Sequence, residues 1–230
     1  MADKQSHKVL VVDDDPDILE LLKYNLVKEG YDVKTAEDGK KAVSMAKNFQ
    51  PELILLDIMM PNQDGVETCR QLREIPEVAN THITFLTARA EEYSEVAAFD
   101  AGADDYITKP IKPRALMSRI SALFRKEKKS KSKSTPKVEA GGLAIDKSSY
   151  TVSMNGEKFT LPKKEFELLY FLAQNPNKVF SRDDLLQNIW GTDVYVLART
   201  VDVHIRKVRE KIGDGYITTV KGVGYKFEVK

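Results

Sequence analysis

The stretch Pro51 to Pro61, P-E-L-I-L-L-D-I-M-M-P, constrains this 230-residue chain more than any other. Leu53, Ile54, Leu55 and Leu56 form an unbroken apolar run that is too short for an ordinary helix and is flanked by prolines. An unbroken run, rather than an alternating one, marks a strand covered on both faces, as in the middle of a parallel sheet. It ends on a carboxylate, Asp57, followed by a Met-Met-Pro turn and Asn62-Gln63-Asp64-Gly65. Reactive groups in open α/β sheets collect at the carboxyl ends of strands. Asp57 is therefore an incidental loop residue, a metal ligand or a nucleophile.

The flanking sequence repeats the strand-then-helix pattern. Lys8 to Val12 is a buried strand ending at Asp13, Asp14 and Asp15, and Asp15-Pro16 reads as a helix N-cap with proline at the first helical position. Ile18, Leu19, Leu22 and Leu26 form that helix's apolar face, and Gly30 stops it. Further units follow: strand 31–36 with helix 39–49, strand 53–57 with helix 65–73, strand 82–87 with helix 91–101, and strand 105–108 with helix 113–124. Five such units in about 125 residues predict a doubly wound, five-stranded parallel sheet. Right-handed crossovers bring Asp13, Asp14, Asp57, Thr87 and Lys109 to one edge of it. Three neighbouring carboxylates repel unless protons or a cation compensate, and an oxygen-only set favours a hard divalent ion, Mg2+ above all. Thr87 offers a hydroxyl and Lys109 an ammonium suited to phosphoryl oxygens. Together they describe a carboxylate that accepts a phosphoryl group.

Composition adds an asymmetry. Residues 1–125 carry 16 Lys/Arg against 22 Asp/Glu, a balance of −6, whereas residues 126–230 carry 20 against 13, a balance of +7. An acidic half joined to a basic half suggests a regulator attached to a polyanion binder. Much of the excess lies in K-E-K-K-S-K-S-K-S-T-P-K, Lys126 to Lys137, read as a flexible linker, so residues 138–230 are only +2. No apolar run reaches the length of a membrane span, no signal peptide opens the chain, and the lone Cys69 fits a reducing cytoplasm. No His/Cys spacing resembles a zinc site.

The second half predicts short strands near 142–145, 150–154 and 158–161, the last two joined by the hairpin turn Asn155-Gly156. A helix follows near Lys163, with Phe166, Leu169, Tyr170 and Ala173 inward, and Ser181 to Asp184 caps another that carries Leu185, Leu186, Ile189 and Trp190. In a third helix, Arg199 to Ile212, the residues Val201, Ile205, Val208 and Ile212 form the core stripe. Arg199, Val203, Arg206, Lys207 and Glu210 lie opposite. A hairpin with a basic, glycine-rich tip, Lys221-Gly222-Val223-Gly224, closes the domain. Helix plus hairpin suits one helix in the major groove of duplex DNA with a wing beside it. Val203 suits a thymine methyl, Arg206 and Lys207 base acceptors, Arg199, Thr200 and His204 the edges of the contact, and Lys221 the minor groove or its phosphates.

Residues 8–125 resemble the receiver domain of two-component response regulators through V-V-D-D-D, L-I-L-L-D-I-M-M-P, F-L-T-A-R and G-A-D-D-Y-I-T-K-P. Residues 138–230 resemble the winged-helix effector domain of the OmpR/PhoB subfamily through K-E-F-E-L-L, S-R-D-D-L-L-Q-N-I-W-G, R-T-V-D-V-H-I-R-K-V-R-E-K-I and K-G-V-G-Y-K-F. The resemblance implies a flavodoxin-like strand order 2-1-3-4-5 and a receiver over 1–125, a linker over 126–137 and a winged-helix domain over 138–230. It implies phosphorylation of Asp57 by a sensor histidine kinase, with Mg2+ held by Asp13 or Asp14, Asp57 and the Met59 carbonyl. Thr87 and Tyr106 would form a switch pair, and Lys109 would pair with the phosphate before a cis Pro110. The phosphorylated chain would form a homodimer, with Asp105 and Arg119 keeping one intermolecular ion pair and Ala97 and Ala115 marking one that is lost. The effector domain would bind promoter DNA and control transcription, presenting Gly191 to Val196 to RNA polymerase. Pro162 stands where the family often has a Ser/Thr cap, so Glu165 lacks its capping-box partner. Haloacid-dehalogenase-like phosphatases share the Asp, Thr and Lys set but need a second Asp two residues after the nucleophile, where this chain has Met59. A phosphoacceptor regulator rather than an enzyme is the expected function.

Overall fold

The computed structural model describes residues 6–87, 101–130, 137–191 and 198–228. The chain divides into two compact units, Met1–Ser132 and Lys133–Lys230.

The first unit holds strands β1 (Lys8–Val12), β2 (Asp32–Ala36), β3 (Leu53–Asp57), β4 (His82–Thr87) and β5 (Asp105–Thr108). They lie in the order β2-β1-β3-β4-β5, and every pair is parallel. Every residue of β3 and β4 is buried, as continuous apolar runs require in the centre of a sheet covered on both faces. The edge strands β2 and β5 keep exposed positions. Helices α1 (Pro16–Lys28), α2 (Gly39–Phe49) and α3 (Gly65–Arg73) each start on an aspartate cap, Asp15, Asp38 and Asp64, whose carboxylate takes a first-turn N–H. On one face of the sheet Leu22 and Leu26 of α1 meet Val9, Val11, Leu53 and Leu55. They also meet Leu116, Ile120 and Phe124 of α4 (Pro113–Ser130). Ile111 packs against the same core. The helix expected at 91–101, with Ala97, falls outside the described residues apart from Ala101.

One boundary differs from expectation. The last helix of this unit continues to Ser130, through the first five residues of the expected linker. Lys and Glu are good helix formers, and no Gly or Pro interrupts Lys126 to Ser130, so the helix propagates where composition alone suggests a coil.

The second unit opens with an antiparallel meander of β6 (Lys137–Ala140), β7 (Leu143–Asp146), β8 (Thr151–Met154) and β9 (Glu157–Thr160). Asn155 and Gly156 turn β8 into β9 with φ of 52° and 87°, the conformation that favours this pair. Strand β6 is not anticipated from sequence: its K-V-E-A alternation is only four residues long and starts within the Lys-rich run, and it is held by pairing with β7. Helix α5 (Lys163–Ala173) begins at Pro162 without a side-chain cap, whereas Ser181 and Asp184 form a full capping box on α6 (Arg182–Ile189). Helix α7 (Arg199–Ile212) leads into β11 (Ile217–Val220) and β12 (Gly224–Phe227). The two-residue strand β10 (Phe180–Ser181) completes a sheet ordered β10-β12-β11. A Cβ on Gly224 would lie 1.9 Å from the Phe180 carbonyl oxygen, so this close pairing requires glycine.

Candidate functional site

In the first unit, parallel register puts four strand ends side by side: Asp13 just after β1, Asp57 ending β3, Thr87 ending β4 and Lys109 just after β5. Asp13, Asp57 and Thr87 are buried, while Asp14 is exposed. The Lys109 ammonium donates to Asp13 Oδ2 at 2.8 Å and pairs with Asp57 Oδ1 at 3.1 Å. Its own backbone N–H donates to the Thr87 carbonyl at 2.6 Å, and the Lys109–Pro110 peptide is cis. Asp13 Oδ1 accepts the Asp15 N–H at 3.0 Å, which fixes that carboxylate.

Carboxylate oxygens of Asp13, Asp14 and Asp57 lie within 4.8 Å of one another. Burial raises the Asp57 pKa above the usual carboxylate value, Lys109 pulls it back down, and Asp13 and Asp14 push it up. Burial acts to lower the pKa of the Lys109 ammonium, yet its bonds to Asp13 and Asp57 prevail and raise it. Three acids facing one ammonium leave excess negative charge, and the available donors are all oxygen. This donor set suits a hard divalent cation.

Around this core, Met59 is exposed and the Tyr106 ring is buried on β5. Asp105 is half-buried, its Oδ1 taking the Tyr106 N–H at 2.8 Å, and Arg119 is half-buried on α4. Two features escape sequence reasoning. A Cβ on Gly65 would sit 2.1 Å from the Asp57 carbonyl oxygen, so glycine lets α3 start directly against the strand end that carries the carboxylate. At the opposite end of the sheet, Arg73 donates to the Gly102, Ala79 and Thr81 carbonyls and to Asp104 Oδ2 at 2.7 Å, tying α3 to the segments entering β4 and β5. The Asp-Asp pair in G-A-D-D-Y is its only sequence trace, and it gives no sign that Asp104 points inward.

In the second unit, Val201, Ile205, Val208 and Ile212 are buried along α7, and Arg199 and Arg206 are exposed, with Val203 and Lys207 partly so. Two of the expected DNA contacts lie in the buried arc of the helix. Thr200 and His204 are 1% and 3% exposed. His204 Nδ1 bonds the Thr200 carbonyl at 2.9 Å and its ring meets Trp190 edge-on at 4.9 Å. The buried arc of α7 is therefore wider than its aliphatic stripe, with Trp190 packed against the His204 ring. Of the loop expected to face a polymerase, only Gly191 is described.

The wing tip Lys221-Gly222-Val223 is exposed, with Gly222 at φ 73°. Helix and wing are bolted together by residues to which sequence reasoning assigns no role. Asp202 Oδ1 accepts from the Tyr225 hydroxyl and from Arg182 Nε, each at 2.7 Å. Arg209 donates to the Ile217 carbonyl at 2.7 Å and to Thr219 Oγ1 at 2.9 Å. Both guanidiniums lie over the Tyr225 ring. Burial, then Asp202, pushes the Tyr225 phenol up to about 12. A raised phenol stabilises the fold below its unfolded value near 10, and that contribution is lost as pH climbs through about 12. Thermal melts are expected to show the second unit losing stability over that window, and Tyr225→Phe is expected to flatten the loss. An equally steep decline in the variant would contradict the bolt.

Comparison with known proteins matches both units. Residues 9–121 match the family model described as response regulator receiver domain, and residues 156–227 match transcriptional regulatory protein, C terminal. The chain is 42% identical to the transcriptional regulatory protein ResD of Bacillus subtilis over 233 residues, covering 96% of each chain. It is similar to the crystal structure of the response regulator DrrB, a Thermotoga maritima OmpR/PhoB homolog, at 36% identity and TM-score 0.51, covering 97% of this chain and all of that one. The structure of a RitR mutant aligns at 30% identity and TM-score 0.81, covering 98% of this chain and all of that one. Among the described residues, no helix is long and apolar enough to cross a membrane. With a receiver sheet of order 2-1-3-4-5 followed in the chain by a winged-helix domain, the chain belongs to the OmpR/PhoB response regulators, phosphorylation-switched DNA-binding regulators of transcription.

Proposed function

We propose that Asp57 is the phosphoacceptor. The observation that carries this is the Lys109 ammonium bridging two buried carboxylates from different strands, with a third acid within reach. An Asp57 carboxylate oxygen attacks the phosphorus of a histidine kinase phosphohistidine, or of a small acyl phosphate. A P–O bond to Asp57 forms, the P–N or P–O bond to the donor breaks, and the donor leaves with the electron pair. Lys109 pairs with the incoming phosphoryl oxygens, and the Thr87 hydroxyl donates to one of them. Asp13, Asp14, Asp57 and the Met59 carbonyl would hold Mg2+, which supplies charge neutralisation for the transferring group. The site promotes its own phosphorylation and dephosphorylation and turns over no other substrate. Tyr106, on the strand beside Thr87, serves as the second switch residue.

Phosphorylation then favours a homodimer in which Asp105 and Arg119 pair across the interface. An exposed pair contributes only about 0–1 kcal/mol, and the pair missing at Ala97 and Ala115 makes this dimer weaker than usual for the subfamily. The regulator works in the cytoplasm, on promoter DNA, with Gly191 to Val196 as its surface for RNA polymerase.

The DNA contacts we assign are Val203, Arg206 and Lys207 to bases, Arg199 to the backbone, and Lys221 to the minor groove or its phosphates. Thr200 and His204 position the helix from within. Binding isotherms at several salt concentrations, on a site selected from random DNA and on its scrambled version, test the assignment. Lys207→Ala is expected to cost about 1–3 kcal/mol on the selected site and to relax one base position. Lys221→Ala is expected to weaken both DNAs alike and to reduce the salt slope by about one. Intact base preference in Lys207→Ala alongside lost preference in Lys221→Ala would reverse the roles of helix and wing.

A further inference from the structure

Glu210 is the acidic residue on the outward face of α7, and the DNA contact set leaves it without a role. Both cations assigned to base contact converge on it: Arg206 Nε lies 3.8 Å from Glu210 Oε1, and Lys207 Nζ lies 3.6 Å from Glu210 Oε2. Helix stability does not account for an acid here. Glu210 stands in the last turn, where the helix dipole disfavours negative charge. In both pairs the cation precedes the acid, the weaker order for intrahelical ion pairs. At these separations the contacts are ion pairs rather than hydrogen bonds, so both cations are oriented yet readily released. The carboxylate is about half exposed, on the face presented to DNA.

We propose that Glu210 is a specificity-determining residue that selects against DNA offering only phosphates. Away from a cognate site, binding rests almost entirely on phosphate neutralisation. There Glu210 subtracts from the charge that Arg206 and Lys207 deliver, because a carboxylate within a Debye length of about 8 Å of the backbone is repelled. At a cognate site the same cations turn to base edges, and Glu210 restricts their rotamers toward those acceptors before binding, which recovers affinity. Discrimination is a difference of two affinities, and a repulsive element enlarges it when it weakens the wrong complex more than the right one. With residues 138–230 carrying a balance of only +2, one such charge is a large share of the total.

The inference rests on the reading of α7 as the DNA-facing helix, and the test separates the two. Full-length wild type, Glu210→Gln, Glu210→Asp and Lys207→Ala are titrated against the selected and scrambled DNA at several salt concentrations. Glu210→Gln keeps the side chain's shape at a half-exposed position. It is expected to bind scrambled DNA roughly three- to tenfold more tightly, with a salt slope steeper by about one, while its affinity for the selected site changes by less than about twofold. Glu210→Asp keeps the charge and is expected to retain the wild-type slope on scrambled DNA. An unchanged or larger ratio of selected to scrambled affinity in Glu210→Gln, with Lys207→Ala still weakening the selected site, overturns the role of Glu210 alone. Lys207→Ala without effect on the selected site overturns the placement of α7 and this inference with it.

Discussion

Asp57→Ala is expected to abolish phosphoryl uptake. Incubated with acetyl phosphate and Mg2+, the wild-type chain should gain one hydroxylamine-labile phosphoryl group, seen as a single mass increment. Asp57→Ala should gain none, and chelation of the metal should stop uptake by the wild type. The loss should be complete because Asp57 ends the central strand, between the strand ends that carry Asp13 and Thr87, with a cation 3.1 Å away and two neighbouring acids. Removing this carboxylate should also stabilise the unphosphorylated receiver at neutral pH. Its pKa is raised in the fold, so its favourable contribution is present below about pH 4 and is lost as pH rises through the folded value. Undiminished labelling of Asp57→Ala would place the phosphoacceptor elsewhere.

The second large effect is steric. Gly65→Ala is expected to destabilise the receiver by about 1–3 kcal/mol or more, because the added Cβ would lie 2.1 Å from the Asp57 carbonyl oxygen and 2.8 Å from the Ile58 Cα. Both neighbours are backbone, so relief requires moving the start of α3 or the end of β3. Either shift displaces the carboxylate, and a displacement near 1 Å can cost about 100-fold in rate. Phosphorylation by acetyl phosphate should therefore slow even at temperatures where the variant remains folded. Gly215→Ala serves as the control, since a Cβ there meets nothing within 4 Å, and its melting temperature should be close to wild type. Equal stability and equal phosphorylation rates in the two variants would show that the close approach at Gly65 carries no weight.

The strand ends were legible because a parallel α/β sheet leaves little freedom: an apolar run ends, and its next polar residue falls on the reactive edge. Asp13, Asp57 and Thr87 follow from that rule, and Lys109 lies one residue beyond the polar end of its strand. The rule does not say which of Asp13 and Asp14 faces inward, since that depends on the pleat and on the bond from Asp15 to Asp13. The burial of His204 involves Trp190, which caps the end of another helix, so a periodicity read along α7 cannot register it. The Arg182, Asp202 and Tyr225 cluster joins three elements through polar contacts that leave no period at all. Extension of α4 to Ser130 was hidden for the opposite reason, because a Lys-rich run is compatible with coil and helix alike and only the preceding turns decide. Local pattern thus predicted what lies on one element, and contacts between elements decided the rest.

Phosphorylation of the first unit governs DNA binding by the second, and one titration tests this coupling. Full-length wild type and Asp57→Ala are titrated on the selected DNA at fixed salt, with and without acetyl phosphate and Mg2+, and phosphoryl occupancy is measured by mass. Phosphorylated wild type is expected to bind roughly 5- to 150-fold more tightly than the unmodified chain, the usual range for coupled sites, while Asp57→Ala shows one affinity throughout. Equal affinity of wild type with and without the phosphoryl group, at full occupancy of Asp57, would contradict the account and make the chain a constitutive DNA binder.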